Sequence, residues 1–219
     1  MVIDSVKQIL AEFKPAGWGQ DLVAAGFVRA VEQHEQTLTI KLVLPFAGQT
    51  LFEQMKETFD AHIRAATGAA IVDWQCDIEV ASMPRAQQLA AVQGIRNILV
   101  VASGKGGVGK STTAVNLALA LQKEGARVAI LDADIYGPSI PTMMGTLKER
   151  PHSLDGKLME PVMACGLKTN SIGYLVAEQD ATIWRGPMAS KALAQILHET
   201  RWGEVDYLVV DMPPGTGDI

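Results

Sequence analysis

One stretch in the middle of the chain, Ile98 to Thr113, reads ILVVASGKGGVGKSTT. The apolar, β-rich run Ile98 to Val101 reads as a strand. It leads directly into Gly104, Lys105, Gly106, Gly107, Val108, Gly109, Lys110 and Ser111. That is the spacing G-x-x-x-x-G-K-[ST] of a P-loop. The constraint on folding is geometric: a strand must deliver the chain to a glycine-dense turn, and a helix must leave it. The glycines let successive main-chain N–H groups turn inward and form an anion-holding concavity. A helix starting near Lys110 adds the positive end of its dipole. Lys110 is then placed to reach the β- and γ-phosphates of a nucleoside triphosphate, and the Ser111 hydroxyl to ligate Mg²⁺. Thr112 is in place for an α-phosphate oxygen, or is an ordinary helix-interior threonine.

The residues that follow repeat one alternation. Lys110 to Glu124 carries Val115, Leu117, Ala118 and Leu121 at helical spacing and stops at Gly125. Arg127 to Asp132 is a short apolar strand ending in a carboxylate. Met188 to Thr200 is helical, with Leu193, Ile196 and Leu197 inward, and Asp206 to Asp211 is a second apolar strand ending in an acid. Strands alternating with helices predict an α/β fold, a P-loop NTPase parallel sheet covered on both faces. Ligands of such sheets bind at the carboxyl ends of the strands, where the P-loop, Asp132 and Asp211 all fall. Asp211 suits the Walker B role, holding Mg²⁺ directly or through water. The loop after it, with Pro213, Pro214, Gly215 and Gly217, suits a switch that senses the γ-phosphate. Asp134, just before Tyr136-Gly-Pro-Ser139, is placed to orient or deprotonate the attacking water, or to shape an Asx turn. Asp132 is open between a hydrogen bond to the P-loop and a role at Mg²⁺. The expected catalytic set is therefore Lys105, Lys110 and Asp134, for the reason given below in the case of Lys105.

The first eighty residues hold no such loop. Val2, Val6, Ile9, Leu10 and Phe13 follow helical spacing. Gly26 to Val31 reads as a strand, His34-Glu35-Gln36 as a hairpin turn, and Leu38, Ile40, Leu42 and Leu44 as the buried face of a second strand. Thr50-Leu-Phe-Glu53 has the capping-box pattern and opens a helix with the face Leu51, Met55, Phe59 and Ile63, ending at Gly68. Ile71 to Val80 makes a third strand. The expected organisation is a small α+β domain over 1–81, a polar Ala/Gln-rich linker over 82–96, and the P-loop domain over 97–219. Of the 219 residues 48% are hydrophobic and 20% charged, with a net charge of −5 and no basic run, which argues against nucleic acid as the main partner. No run of about 18 apolar residues predicts a membrane span. Two cysteines, Cys76 and Cys165, form no disulfide framework, and both read as small buried hydrophobes, so the expected compartment is a reducing cytoplasm.

The second lysine of the loop, Lys105, is not needed to bind phosphate within one subunit. The form G-K-G-G-V-G-K-S-T resembles the deviant Walker A motif of the MinD, ParA and ArsA group. That likeness implies a lysine that crosses a nucleotide-sandwich dimer and stabilises phosphate charge on the partner subunit; a solvated lysine at the loop edge is the alternative. Taken together, SGKGGVGKST, LDADIYGPSIPTMMG, TNSIGYL, WRGPMASKAL and DYLVVDMPPGTGDI resemble the Mrp (ApbC-like) family of iron–sulfur cluster carriers. The likeness is strong over 97–219. The first eighty residues are similar, more weakly, to that family's MIP18-type (DUF59) domain, with Lys14-Pro-Ala-Gly-Trp18-Gly in place of its acidic motif. The resemblance implies binding of ATP, slow dimer-dependent hydrolysis, homodimerisation, contact with cluster assembly machinery, and delivery of a cluster, of the 4Fe-4S kind, to apo iron–sulfur proteins. It also implies a C-x-x-C pair after the switch loop. The sequence holds none, so no iron–sulfur ligands are expected in this chain, and a C-terminally truncated form of a longer protein is expected. Two other functions compete on the sequence: a MinD/ParA-like positioning ATPase and an inert nucleotide-binding fragment. Arg185, in Trp184-Arg-Gly-Pro187, is placed either near a dimer interface or as a structural arginine.

Overall fold

In the computed structural model, which describes residues 2–14, 18–84, 91–175 and 186–215, the chain divides into two units, Met1–Ala81 and Ser82–Ile219. The first unit contains α1 (Val2–Ala11), β1 (Val28–His34), β2 (Thr37–Leu44), α2 (Gln49–Thr67) and β3 (Ile71–Ile78). β2 is the middle strand, antiparallel to β1 and parallel to β3. A parallel pair needs a crossover connection, which α2 supplies. Along β2 the side chains alternate strictly, and Leu38, Ile40, Leu42 and Leu44 are at most 1% exposed. They share one core with Val6, Ile9 and Leu10 of α1 and Phe52, Met55, Phe59 and Ile63 of α2. Glu35, at φ 52°, turns the chain from β1 into β2.

Several local expectations shift. Gly26 does not begin a strand. It sits at φ 73° and closes a turn in which the Asp21 carboxylate accepts from the N–H groups of Val23 and Ala24, so β1 starts at Val28. Nor is Thr50 a cap: the N-cap of α2 is Gly48, with no side-chain cap bond. Leu51 lies on the shoulder of the buried face, because four-residue steps drift by about 40° on an α-helix, and Phe52 takes the inward place. Gly68 closes α2 in the left-handed conformation as expected, its N–H bonding Arg64 O. Trp18 packs edge-to-face on Phe27 and Phe46, at centroid distances of 5.6 and 5.3 Å.

The second unit contains β4 (Ile95–Ser103), α3 (Lys110–Lys123), β5 (Val128–Asp132), α4 (Ile140–Met143), β6 (Val162–Ala164), β7 (Leu167–Ser171), α5 (Gly186–Glu199) and β8 (Val205–Pro214). The sheet runs β4-β8-β5-β7-β6. β4, β8, β5 and β7 are mutually parallel, as the alternation of elements predicted. β6 departs from it, folding back antiparallel onto β7. The hairpin turns at Cys165 and Gly166, at φ 49° and 79°. This corrects the buried placement expected for Cys165: at the tip of a turn its side chain is exposed.

All five residues of β5 are buried, the mark of a strand covered on both faces. Ala129 and Leu131 share a core with Leu208 and Val210 of β8, Ala189 and Ile196 of α5, and Trp202. Leu193 and Leu197 pack at its margin. α3 packs on β5 and β8, burying Ala114, Val115 and Ala118. At the amino ends of these strands Arg127 donates to both carboxylate oxygens of buried Asp206, at 2.8 and 3.1 Å. None of the described helices is long and apolar enough to cross a membrane.

The alternation of β2 carries a measurable consequence. Ile40→Ala removes a fully buried side chain from the middle of the first unit's core and is expected to destabilise the fold by about 2–5 kcal/mol. Urea unfolding followed by circular dichroism measures this; a loss below about 1 kcal/mol, against the range usual for core truncations, would contradict the placement of β2.

Candidate functional site

The glycine loop joins β4 to α3. Its base is tied down: Ser103 Oγ donates to Lys105 O at 3.0 Å, and the Gly215 N–H after β8 donates to Ser103 O at 2.8 Å. Gly107 and Gly109 stand at φ 74° and 85°, where only glycine is unstrained. Gly104 and Gly106 have a different reason. Their φ values do not demand glycine, and an added Cβ would meet no protein atom within 4 Å. What glycine preserves there is room for something outside the chain to approach the main chain. α3 begins at Lys110 with Gly109 as its N-cap and no side-chain oxygen capping it. Its first-turn N–H groups are thus left for an anion.

Lys110 is nearly buried and lies among acids. Its Nζ hydrogen-bonds and ion-pairs with Asp211 Oδ1, lies 3.8 Å from Asp134 Oδ2, and is 3.2 Å from Ser111 Oγ. Register explains the meeting. Across the parallel pairs Val101 faces Asp211 and Asp211 faces Asp132, so these three positions lie level, with β4 and β8 running on past them to Ser103 and Pro214. Asp211 is fully buried, yet among the described residues its Oδ2 has no hydrogen-bond partner. A buried carboxylate oxygen without a partner is costly. Together with the Ser111 hydroxyl it forms a set of hard oxygen donors that fits Mg²⁺.

Asp134 has two contacts. Its Oδ1 accepts from the Gly137 N–H at 3.2 Å, an Asx-type turn, and its Oδ2 faces Lys110. Burial raises its carboxyl above the ordinary value, and the Lys110 charge opposes that. Asp132 takes neither role that the sequence left open. Its carboxylate accepts from the N–H groups of Asp134, Ser139 and Ile140, each at 3.1 Å, and from Ser171 Oγ at 3.0 Å. Among the described residues no hydrogen bond joins it to the P-loop. Burial pushes its carboxyl up to about 6, against the pull of these donors. Sequence reasoning found Asp132 but not its work, and passed over Ser171. The one signal was that Ser171 lies in the TNSIGYL stretch.

Lys105, Val108 and Thr112 are exposed. Among the described residues the Lys105 ammonium makes no ion pair. Pro213 and Pro214 end β8 and Gly215 follows at φ 91°, while Gly217, Trp184 and Arg185 lie outside the described residues. Cys76 packs against the core of the first unit, and burial, with Asp77 and Glu53 nearby, pushes its thiol up to about 11. Among the described residues no three His, Cys, Asp or Glu side chains cluster as a metal site.

A parallel sheet that presents a glycine cradle, its lysine and a strand-end acid at one edge is the architecture of a P-loop NTPase. Comparison with known proteins narrows the class. The family model described as ParA, NUBPL iron-transfer P-loop NTPase matches residues 94–219, and the chain belongs to that family. It is 53% identical over 210 residues to the iron-sulfur cluster carrier protein of Escherichia coli K12, an alignment covering 96% of this chain and 57% of that protein. To the iron-sulfur cluster carrier protein of Synechocystis it is 38% identical over 221 residues, covering 100% of this chain and 63% of the relative. The chain thus spans roughly three-fifths of the length of these curated relatives. Among solved structures, a nucleotide-binding protein of Archaeoglobus fulgidus in complex with ADP is similar at 40% identity and a TM-score of 0.50, covering 58% of this chain and 48% of that one.

The raised carboxyl of Asp132 has a pH signature. Below its ordinary value of 3.8 both the folded and the unfolded chain hold the proton. Between there and about 6 only the folded chain holds it, so a rise in pH through this window removes stability, and above it the dependence ends. Asp132→Asn cannot titrate. The difference in Tm between wild type and Asp132→Asn is expected to move against the wild type from pH 4 to pH 6. A difference that stays flat across that window in calorimetry would contradict the shift.

Proposed function

We propose that this chain is the nucleotide-controlled part of an iron–sulfur cluster carrier. It binds Mg²⁺-ATP in the Gly104–Thr112 cradle, and nucleotide state governs delivery of a cluster, of the 4Fe-4S kind, to apo iron–sulfur proteins. One observation carries the reading: Lys110 sits between Asp211 and Asp134 at the lip of an open glycine loop, in a chain more than half identical, over almost its whole length, to a protein named for carrying clusters. The Archaeoglobus relative was solved with ADP, which supports adenine as the base.

The residues divide the work. Main-chain N–H groups of Gly104 to Gly109 and the start of α3 hold the phosphates. Lys110 turns from Asp211 toward the β- and γ-phosphates, exchanging one anionic partner for another. Ser111 and Asp211 would hold Mg²⁺, which neutralises phosphate charge. Asp134 orients the attacking water, burial raising its carboxyl and so making it the more basic. Lys105, exposed and without an ion pair among the described residues, reaches the phosphates of a second copy, so hydrolysis is slow and dimer-dependent. The chain has two cysteines and no C-x-x-C. We assign no cluster ligation to Cys76 or Cys165, and place the protein in the cytoplasm, with the cluster assembly machinery as the source of its cluster.

Two variants and one transfer assay test this. Lys110→Ala is expected to abolish Mg-ATP binding in calorimetry; retained micromolar affinity would refute the cradle. Lys105→Ala is expected to bind ATP within about threefold of wild type yet lose turnover and dimerisation, since a group acting only in the transition state lowers kcat rather than affinity. Unchanged turnover per subunit would remove the trans-acting role. The natural protein, reconstituted anaerobically with iron and sulfide, is expected to restore an apo iron–sulfur enzyme. Failure to carry or pass a cluster would overturn the carrier reading.

A further inference from the structure

Asp132 is fully buried at the carboxyl end of β5, and nothing in the division of work above employs it. Its surroundings are specific. Oδ1 accepts from the Asp134 N–H, and Oδ2 from the N–H groups of Ser139 and Ile140 and from the Ser171 hydroxyl. A carboxylate has about four acceptor sites, and four donors engage its two oxygens, one at Oδ1 and three at Oδ2. Three of those donors are main-chain groups of the segment that carries Asp134. The fourth belongs to β7, where Ser171 Oγ also accepts from the Gly173 N–H at 3.0 Å.

The segment is therefore held at both ends. Ala133 N–H donates to Asp211 O at 2.9 Å, extending the β5–β8 pairing one residue beyond Asp132. The chain then turns at Asp134 and returns to Asp132 at Ser139 and Ile140. Between these points Asp134 Oδ2 lies 3.8 Å from Lys110 Nζ. Asp132 itself makes no hydrogen bond to any cradle residue among those described. Its place in the fold is behind the reacting groups, bonded to the backbone that aims one of them.

We propose that Asp132 is a positioning residue for triphosphate hydrolysis: its carboxylate, braced by Ser171, fixes the 134–140 segment so that the Asp134 side chain stays at the Lys110 end of the cradle. The proposal rests on the hydrolytic reading of the preceding section. Misplacing a reacting group by about 1 Å costs on the order of 100-fold in rate without a like loss of binding. Asparagine is isosteric but offers one acceptor oxygen in place of two, so it must drop some of the four bonds.

The test uses the whole chain with Asp132→Asn, Ser171→Ala and Asp134→Asn. Three quantities are read: ADP affinity, ATP turnover, and amide hydrogen exchange across 134–140. Asp132→Asn is expected to lower turnover at least tenfold, shift ADP affinity less than threefold, and speed exchange at Ser139 and Ile140 at least tenfold. Ser171→Ala, a milder change that keeps the proposal testable if Asp132→Asn does not fold, is expected to lower turnover two- to fivefold with faster exchange. Asp134→Asn is expected to lower turnover as well but to leave exchange at Ser139 and Ile140 slow, because the carboxylate of Asp132 is intact. Combining Asp132→Asn with Asp134→Asn is expected to add little further loss, as for residues acting as one unit.

Unchanged turnover and exchange in Asp132→Asn would overturn the proposal. So would a fall in ADP affinity as large as the fall in turnover, which would put Asp132 in the binding site itself. If the wild-type chain turns over no ATP, the hydrolytic reading falls separately. Exchange then decides the positioning role alone: faster exchange in Asp132→Asn supports it, and unchanged exchange overturns it.

Discussion

The chemistry of the second unit depends on the register of three parallel strands, which sets Val101, Asp211 and Asp132 level. β4 delivers the glycine loop, β8 delivers Asp211, and β5 delivers Asp132 and the segment with Asp134. Side chains on a strand alternate faces, so a slip of one residue in β8 would turn Asp211 away from Lys110 and reverse every buried contact of that strand. β4 and β8 keep one register from Ile95 to Val101 and shift it before Ser103. At the amino end, Asp206 of β8 is held by the Arg127 guanidinium and main chain at the entrance to β5. Burial alone would raise the Asp206 carboxyl, and Arg127 holds it below its ordinary value. A polar lock at one end of the sheet thus keeps the charged groups at the other end in line.

Those charged groups form an unbalanced set. One ammonium stands among two carboxylates, Asp211 and Asp134, with both sides of its closer pair almost completely removed from water. Buried ions are costly unless paired, and here the pairing is incomplete, because among the described residues one oxygen of Asp211 has no partner. A site in this condition has a standing preference for a ligand that brings both signs of charge. On the proposed reading a magnesium-bound phosphate chain would meet that need, its anionic part at Lys110 and its cationic part at Asp211. The affinity of such a site resides less in new contacts than in the relief of an arrangement that is poorly satisfied by itself.

Much of this was legible in the residues. The β2 alternation, the buried run of β5 and the strand–loop–helix of the P-loop follow from periodicity and glycine placement, which are local properties. The failures share a cause: they needed tertiary information. Thr50 has the wording of a cap, but the helix starts before it. Gly26 to Val31 has the wording of a strand, whereas a turn built on the Asp21 carboxylate claims Gly26. Cys165 looked buried by residue type and is exposed by position, since β6 turns back on β7. Asp132 illustrates the limit best. Its location at a strand end was plain, but its four donors come from residues two, seven, eight and thirty-nine positions away, and only the folded chain brings them together.

The β6–β7 turn has a practical side as well. It carries one of the chain's two thiols into solvent, while the other, Cys76, is half-covered and strongly disfavours the reactive thiolate form. An alkylating reagent at neutral pH therefore discriminates between them, and a single fluorophore or spin label can be installed at Cys165 without mutagenesis. The same thiol is free to scavenge loosely held iron or to link two molecules covalently in air. Measurements of metal content or self-association made on unblocked protein need to be compared with a Cys165→Ser control.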